Sequence, residues 1–161
     1  MKIALVTDVY GETNNGTCIT ARRLVEGMKA RGHEVTVISP YACDEPGYVT
    51  LQKRQFPAFQ HYIESNGVSF AQPDEAVLRR GMEGCDVVHF LMPFKVGQTG
   101  MRLARDMGIA YTTAFHCQPE NITGHIFLLH AGFANRMIYR RFWRTFYKDA
   151  HFVHCPSQFI A

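Results

Sequence analysis

The residues best suited to chemistry lie in the stretch Ala110–Asn121, where a short β-prone run ends in a cluster of polar groups. His116 follows that run directly, and an imidazole there suits hydrogen bonding to a substrate or general-base chemistry. Pro119 then opens a predicted helix. The polar side chains around the start of this helix are Gln118, Glu120 and Asn121. Because ligands bind at the carboxyl ends of strands in open α/β sheets, the cluster is predicted to face a ligand. A purely structural histidine at a strand end is the alternative.

A second polar loop follows the first predicted strand, Ile3–Thr7, and includes Asn15, Gly16 and Thr17. The helix that comes next offers unpaired N–H groups and a partial positive charge at its N-terminus, which suit a phosphate. Gly16 would let the backbone approach such a ligand closely. The alternative is that the glycines of this loop only permit turns. The loop contains neither GxGxxG nor GxxxxGK[ST], so it is neither a dinucleotide fingerprint nor a P-loop.

Basic and aromatic residues are concentrated in two places. The predicted helix Phe133–Lys148 carries a basic row at i, i+4 spacing beside bulky apolar side chains, and Lys53 and Arg54 stand among aromatic residues in an irregular segment. The members of the row used below are Arg136, Arg140 and Arg144. A basic amphipathic helix with aromatic residues predicts contact with an anionic membrane surface or an acidic partner. A solvated face above a core-facing aromatic stripe is the alternative.

The composition describes one globular domain. Hydrophobic residues make up 47% of the 161 residues and charged residues 19%, which excludes disorder, and a net charge of +3 does not point to nucleic acid. The five cysteines are scattered without CxxC pairing, as in a reduced cytosolic protein. The pairs His116-Cys117 and His154-Cys155 lack the spacing of a zinc site, so no metal is expected.

Strands alternate with helices along the chain, which predicts βαβ units and a doubly wound, mainly parallel, Rossmann-like α/β sheet. The strongest predicted strands are Ile3–Thr7, Glu34–Ser39, Asp86–Met92, Ile109–Phe115 and Phe152–His154, with weaker pieces at Tyr48–Leu51 and Val68–Ala71. Helices are predicted around residues 21–28, 74–81, 96–107, 119–129 and 133–148, and another is predicted to begin at Pro156.

Several motifs, in this order and spacing, resemble the N-terminal half of a family 4 retaining glycosyltransferase of the GT-B fold. They are Lys2–Tyr10, Asn15–Thr17, Leu24–Ile38, Asp86–Phe90, Thr113–His116 and Pro156–Ala161. The family often has two adjacent glycines where this chain has Asn15-Gly16. The resemblance implies an acceptor-side domain over residues 1–161, with the nucleotide-sugar domain absent from this chain.

The resemblance also implies roles for individual residues. Asn15, Gly16 and Thr17 would meet the donor pyrophosphate, and His116 would contact the transferred sugar. The side chains that follow His116 would contact acceptor or sugar. The partners would be a nucleotide-sugar donor and a lipid or saccharide acceptor, with no cofactor, no obligatory metal and no nucleic acid.

The segment Gln55–Asp74 is similar to members that act on lipid acceptors such as diacylglycerol. Together with the basic helix, it predicts a cytoplasmic protein in peripheral contact with the inner face of the membrane. The alternative reading of the whole chain is another Rossmann-like nucleotide-binding domain, either an oxidoreductase or a regulatory binding module.

Overall fold

The computed structural model describes residues 1–11, 16–57, 69–120 and 132–157. Within them, six strands form one sheet in the order β3-β2-β1-β4-β5-β6. The strands are β1 (Lys2–Val6), β2 (Glu34–Ser39), β3 (Tyr48–Thr50), β4 (Val87–Phe90), β5 (Ala110–Ala114) and β6 (Val153–His154). Every neighbouring pair is parallel. This is the order of a doubly wound sheet, so the predicted fold class is confirmed.

The described residues include four α-helices. They are α1 (Gly16–Ala30), α2 (Glu75–Met82), α3 (Lys95–Asp106) and α4 (Gly132–Phe142). The side chain of Asp74 caps α2 by accepting hydrogen bonds from the N–H groups of Ala76 and Val77, each at 3.0 Å. The predicted apolar stripe of α3 is confirmed, since Val96 and Leu103 on that stripe are buried.

The strand order reverses direction between β1 and β4. The chain leaves β1 towards β2 on one side and later returns to β4 on the other, with Val6 paired to Ile38 in β2 and Phe90 in β4. Because the connections that leave β1 and β4 run in opposite directions, a crevice opens at the carboxyl ends of these two strands. Ligands bind at this position in open α/β sheets.

One glycine allows α3 to begin close against the end of β4. A Cβ atom on Gly97 would stand 2.3 Å from the carbonyl oxygen of Met92 and 2.8 Å from the ring of Phe146. Only a residue without a side chain fits this space. The close approach fixes the first turn of α3, which carries Lys95 and Gln98, at the edge of the crevice.

The structure departs from the predicted continuous helix Phe133–Lys148. The α-helix ends at Phe142, and Trp143–Tyr147 form a π-helical turn in which the N–H of Lys148 donates to the carbonyl oxygen of Trp143 at 2.9 Å. A π-helical turn inserts one residue into the helical repeat. The i, i+4 spacing therefore does not continue to Lys148.

Two weaker predictions have mixed outcomes. The predicted strand Val68–Ala71 is reduced in the described residues to one antiparallel bridge, between Lys53 and Ala71. Pro119 and Glu120 are helical, as predicted. The remainder of that helix and most of the helix predicted from Pro156 lie outside the described residues.

Candidate functional site

The two polar loops predicted from the sequence leave the same edge of the sheet. Gly16 begins α1 after β1, with Thr17 in its first turn, and His116 lies just beyond the end of β5. Only β4 separates β1 from β5, so both loops stand beside the crevice. Asn15 and Asn121, which were predicted to belong to these loops, lie outside the described residues.

The start of α1 is open at Gly16. This residue is exposed, and a Cβ atom built on it would meet no described atom within 4 Å. Its carbonyl oxygen accepts a hydrogen bond from Oγ1 of Thr20 at 3.0 Å. Packing against the described residues therefore does not require a glycine here, and a helix N-terminus favours an anion.

His116 belongs to a cluster of three histidines. The ring centroids of His116 and His154 are 5.5 Å apart, and those of His89 and His154 are 6.3 Å apart. Nδ1 of His89 lies 2.6 Å from Oγ1 of Thr112. The Nε2 atoms of His89 and His116 are buried and form no hydrogen bond with any described residue. This cluster was not visible in the sequence, because His89 and His154 come from different strands and His116 follows a third, and the register of the sheet brings them together.

Two members of the histidine cluster, His116 and His89, have pKa values below the ordinary value of a histidine. Burial lowers the pKa of His116, and the nearby His154 lowers it further. The same two causes, with a smaller one from His116, lower the pKa of His89 to about 4. A neutral imidazole has one N–H donor and one acceptor nitrogen. Nε2 of His116 is therefore available to a polar ligand group as donor or acceptor, according to the tautomer.

The loop after β5 is held against α4. Oε2 of Glu120 accepts a hydrogen bond from the hydroxyl of Tyr139 at 3.1 Å. The same Tyr139 ring is stacked on Phe115, with 6.3 Å between the centroids. Gln118 is half-buried beside Cys117, whose Sγ lies 3.9 Å from the Gln118 carbonyl oxygen. The contacts of Glu120 and Phe115 connect the predicted site loop to the basic helix.

A cleft of about 300 Å³ lies where the sheet order reverses. We call it the switch-point cleft. It is lined by Asp8, Arg54, Phe56, Phe70, Ala71, Pro93, Phe94, Lys95, Gln98, Ile138, Arg141 and Phe142. Its walls therefore combine the end of β1, the start of α3, one side of α4 and the segment around the Lys53–Ala71 bridge.

Asp8 is the buried acid of this cleft. Its side chain is 2% exposed, and Oδ1 accepts a hydrogen bond from the N–H of Ala71 at 3.0 Å. Oδ2 is buried and has no hydrogen-bond partner among the described residues. Burial raises the pKa of Asp8 from 3.8 to about 7, although the Ala71 N–H acts in the opposite direction. The sequence analysis treated Asp8 only as the end of a strand, since its partner is distant in the chain.

Four aromatic rings form a continuous arc along the cleft. The centroid distances are 5.7 Å from Phe56 to Phe70, 5.0 Å from Phe70 to Phe94 and 6.3 Å from Phe94 to Phe142. All three contacts are edge-to-face, which is a favourable geometry for aromatic pairs. The arc gives the cleft an apolar wall opposite its polar groups.

Three exposed cations stand at the mouth of the cleft: Arg54, Lys95 and Arg141. The described part of the chain supplies no carboxylate that pairs with any of them. The guanidinium of Arg54 lies 5.0 Å from the centroid of the Phe56 ring. Lys53, predicted to share a surface with Arg54, lines a different cleft beside Tyr10 and Tyr41.

The predicted basic surface of the long helix exists on the outside of α4. We call this region the α4 surface. It consists of Phe133, Arg136, Met137, Arg140, Trp143 and Arg144, all of which are exposed. Phe133 is 81% exposed and Trp143 is 60% exposed. The three arginines form no ion pair within the described residues. Arg141 lines both the switch-point cleft and the groove of this surface, so the two are adjacent.

Two features are absent from the described residues. No three histidine, cysteine, aspartate or glutamate side chains come together there in a way that could hold a metal ion. Among the same residues, no helix has the length and apolar character that crossing a membrane requires.

Comparison with known proteins gives one family match. Residues 14–161 match the model of the family described as Glycosyltransferase Family 4. The match covers nearly the whole chain and both loops beside the crevice.

Two curated relatives are also similar. The chain is 23% identical over 164 aligned residues to a protein of Streptococcus pneumoniae named alpha-monoglucosyldiacylglycerol synthase, covering 99% of this chain and 36% of the relative. It is 26% identical over 125 residues to a GDP-mannose-dependent alpha-mannosyltransferase of Mycolicibacterium smegmatis, covering 71% of this chain and 32% of the relative. The chain thus spans about a third of the length of these relatives.

Proposed function

This chain belongs to glycosyltransferase family 4, and on that premise we propose that it is the acceptor-side domain of a retaining GT-B enzyme. The enzyme transfers a sugar from a nucleotide-sugar donor to an acceptor, which we take to be a membrane lipid. The observation that carries the proposal is the placement of His116, the start of α1 and the switch-point cleft at the same edge of the sheet.

The residues at this edge have distinct roles in the proposal. The N–H groups at the start of α1, at Gly16 and Thr17 and in the loop before them at Asn15, bind the donor pyrophosphate, because a helix N-terminus favours anions. His116 is neutral at pH 7 and binds a hydroxyl of the transferred sugar through Nε2.

Three further polar residues complete the proposed contacts with sugar or acceptor. They are Gln118, Glu120 and Asn121. Of these, Glu120 is positioned by its hydrogen bond from Tyr139, which links this part of the site to α4. No cofactor or metal takes part in the proposal.

A lipid acceptor is supported by the position of the α4 surface. Exposed arginines beside Phe133 and Trp143 suit an anionic lipid surface, where arginines bind headgroups and aromatic rings enter the interface. Arg141 connects that surface to the switch-point cleft. An acceptor could therefore pass from the cytoplasmic face of a membrane into the cleft. The name of the S. pneumoniae relative, a glucosyldiacylglycerol synthase, agrees with this choice.

The donor is proposed to bind mainly to a second domain. The M. smegmatis relative is named for GDP-mannose, a nucleotide sugar, and this chain spans about a third of that relative. We therefore expect the 161 residues alone to show no sugar transfer, and turnover by them alone would contradict the two-domain arrangement.

The experiment that tests the function compares two histidine variants. In the enzyme that contains both domains, His116→Ala is expected to lower sugar transfer by about a hundredfold or more, because it removes a contact with the reacting sugar. The substrates are radiolabelled UDP-glucose or GDP-mannose with vesicles that contain both diacylglycerol and phosphatidylglycerol. His33→Ala is the matched control, since His33 is also half-buried but precedes β2 at the opposite edge of the sheet.

Two results would overturn the function. A near-normal rate for His116→Ala, with unchanged circular dichroism, would reduce His116 to a structural role. Tight binding of NAD with no transfer from either nucleotide sugar would favour an oxidoreductase or a regulatory nucleotide-binding module.

A further inference from the structure

The switch-point cleft combines three kinds of group that one ligand would satisfy together. A buried carboxyl group, Asp8, forms part of its wall, and an arc of phenylalanine rings lines one side. Three exposed cations also line it, and none of them pairs with a carboxylate of the described residues. Buried polar atoms in folded proteins almost always have a hydrogen-bond partner. Oδ2 of Asp8 has none among the described residues, so the cleft offers an unused acceptor.

We propose that the switch-point cleft binds a hydroxylated phosphate ester, in which a hydroxyl donates a hydrogen bond to Oδ2 of Asp8 and the phosphate binds Arg54, Lys95 and Arg141. The acceptor is thus an anionic ester that carries free hydroxyls, rather than neutral diacylglycerol. This assignment rests on the acceptor-side function given above and names the chemical class of its substrate.

The carboxyl group of Asp8 is placed to select a hydroxyl. Its other oxygen, Oδ1, is held by the N–H of Ala71, so the plane of the carboxyl group is fixed before any ligand arrives. When Asp8 is ionised, Oδ2 only accepts hydrogen bonds, and a ligand that offers an O–H satisfies it. A ligand of similar shape without that O–H would leave Oδ2 buried and unpaired, which is costly.

The cations at the mouth are placed to select a phosphate. Arg54, Lys95 and Arg141 come from three separate segments, and no carboxylate in the described residues neutralises any of them. Guanidinium groups match phosphate geometry with paired hydrogen bonds, and an ammonium adds a compact charge. Three such groups around one cleft, with a single buried acid, favour an anionic ligand over a neutral one.

The aromatic arc indicates a lipid ester rather than a free polyol phosphate. The four rings, with Ile138 beside Phe142, present an apolar wall that a small polar ester would not cover. An acyl chain or the glycerol backbone of a lipid would bury this wall. The cleft also adjoins the α4 surface through Arg141, which is the side from which a lipid would enter.

Short-chain lipids below their micelle concentration test this assignment by calorimetric titration of the protein. Dihexanoyl phosphatidylglycerol has both a phosphate and free hydroxyls. Dihexanoyl phosphatidylmethanol keeps the charge without the hydroxyls, and dihexanoylglycerol has a hydroxyl without the phosphate. We expect the first to bind about tenfold more tightly than either of the others, as expected for the loss of one charge-assisted contact. Equal binding of all three lipids would overturn the assignment.

Two variants identify the groups responsible. Asp8→Asn keeps an oxygen for the N–H of Ala71 but replaces Oδ2 by a donor, so phosphatidylglycerol should bind no better than phosphatidylmethanol. The double variant Lys95→Gln, Arg141→Gln changes two exposed residues. It should lower the affinity for phosphatidylglycerol to the affinity for dihexanoylglycerol. Arg23→Gln on α1 is the control and should change nothing. Wild-type binding by Asp8→Asn, or by the double variant, would overturn the assignment.

Two further comparisons distinguish a lipid ligand from a soluble ester, and a failure of this inference from a failure of the transferase function. Glycerol phosphate carries the same polar groups without acyl chains, so weak binding supports a lipid, and equally tight binding supports the same chemistry in a soluble ester. The titrations need neither donor nor turnover. The titrations can therefore be interpreted even if the transferase function is wrong. Titrations that do not distinguish the three lipids, together with normal sugar transfer, would overturn only this inference.

Discussion

The backbone N–H of Ala71 donates a hydrogen bond of 3.0 Å to Oδ1 of Asp8, joining the end of β1 to a segment 63 positions further along the chain. Both residues are buried. The bond fixes one carboxyl oxygen and leaves Oδ2 beside the cleft. Oδ1 of Asp8 therefore has a structural contact, Oδ2 is the atom proposed above to bind a ligand, and different substitutions separate the two.

Removing the whole carboxyl group of Asp8 should destabilise the fold more than replacing it by an amide. Asp8→Ala leaves the Ala71 N–H without its partner, so we expect a loss of about 1–3 kcal/mol in the free energy of unfolding relative to Asp8→Asn. Urea unfolding at pH 5, where the wild-type carboxyl group is mostly protonated, measures the difference. Equal stability of the two variants would show that the Asp8–Ala71 bond contributes little.

The stability of the wild type relative to Asp8→Asn should fall as the pH rises. Because the folded pKa of Asp8 is about 7 and its ordinary value is 3.8, the folded state binds the extra proton between these values. The free energy of unfolding of the wild type relative to Asp8→Asn then falls by up to about 4 kcal/mol between pH 4 and pH 7 and stays constant above pH 7. Urea unfolding of both proteins at pH 5, 6 and 8 tests this, and a constant difference would contradict it.

His89 should change the stability with pH in the opposite direction to Asp8. The folded pKa of His89 is about 4, below its ordinary 6.5, so the stability present above pH 6.5 is lost as the pH falls towards 4. His89→Asn keeps an acceptor near Thr112 and should reduce this loss of stability at low pH by about 3 kcal/mol. Thermal unfolding between pH 4.5 and 7.5 measures it. His33→Asn serves as control, and the same acid loss in the wild type and His89→Asn would argue against the prediction.

A methyl group at Gly97 should disturb the contact between α3 and β4. Gly97→Ala places a Cβ atom 2.3 Å from the carbonyl oxygen of Met92, a backbone atom that cannot move aside, so we expect a loss of about 1–3 kcal/mol. Gly27→Ala in α1 is the matched control, because its Cβ would meet only the end of the Arg31 side chain, at 3.3 Å. It should gain up to about 1 kcal/mol of helix propensity. Similar midpoints of chemical unfolding for both variants would refute this view of α3.

Charge removal from the α4 surface should weaken membrane binding. Replacing Arg136, Arg140 and Arg144 by Gln removes about 1 kcal/mol of attraction each, which corresponds to a loss of about a hundredfold in partitioning. Sedimentation with vesicles of phosphatidylglycerol and phosphatidylcholine measures it, and added salt should weaken the wild type in the same direction.

The control for this experiment removes equal charge elsewhere. It replaces three exposed arginines that lie outside α4, namely Arg23, Arg31 and Arg80. An equal loss in both triple variants would mean that net charge, not the α4 surface, drives the binding. Unchanged binding in the α4 variant would make that surface a solvated or interdomain face.

The sequence predicted those parts of the fold that depend on local pattern. β1 was visible as a continuous apolar run, and β4 as a mostly apolar one, because parallel central strands are buried on both faces. The stripe of α3 was visible through its helical spacing. The position of His116 at the end of β5 followed from the same alternation of strand and helix.

The parts that the sequence did not reveal depend on contacts between distant segments. The Asp8–Ala71 bond uses a backbone donor, which leaves no residue-type signature, in a segment of irregular pattern. The cluster of His89 and His154 exists because strand pairing aligns them. The π-helical turn at Trp143 follows a helix whose apolar spacing had indicated simple continuation.

Trp143 lies at the first position of that turn with most of its side chain in solvent, and the 161 residues contain no other tryptophan. Indole fluorescence from this chain therefore comes from one known place, next to the arginines of the α4 surface. Its emission should lie at long wavelength in water and move to shorter wavelength if the ring enters an acyl layer. The protein thus carries a built-in optical reporter at the position where contact with a bilayer is proposed.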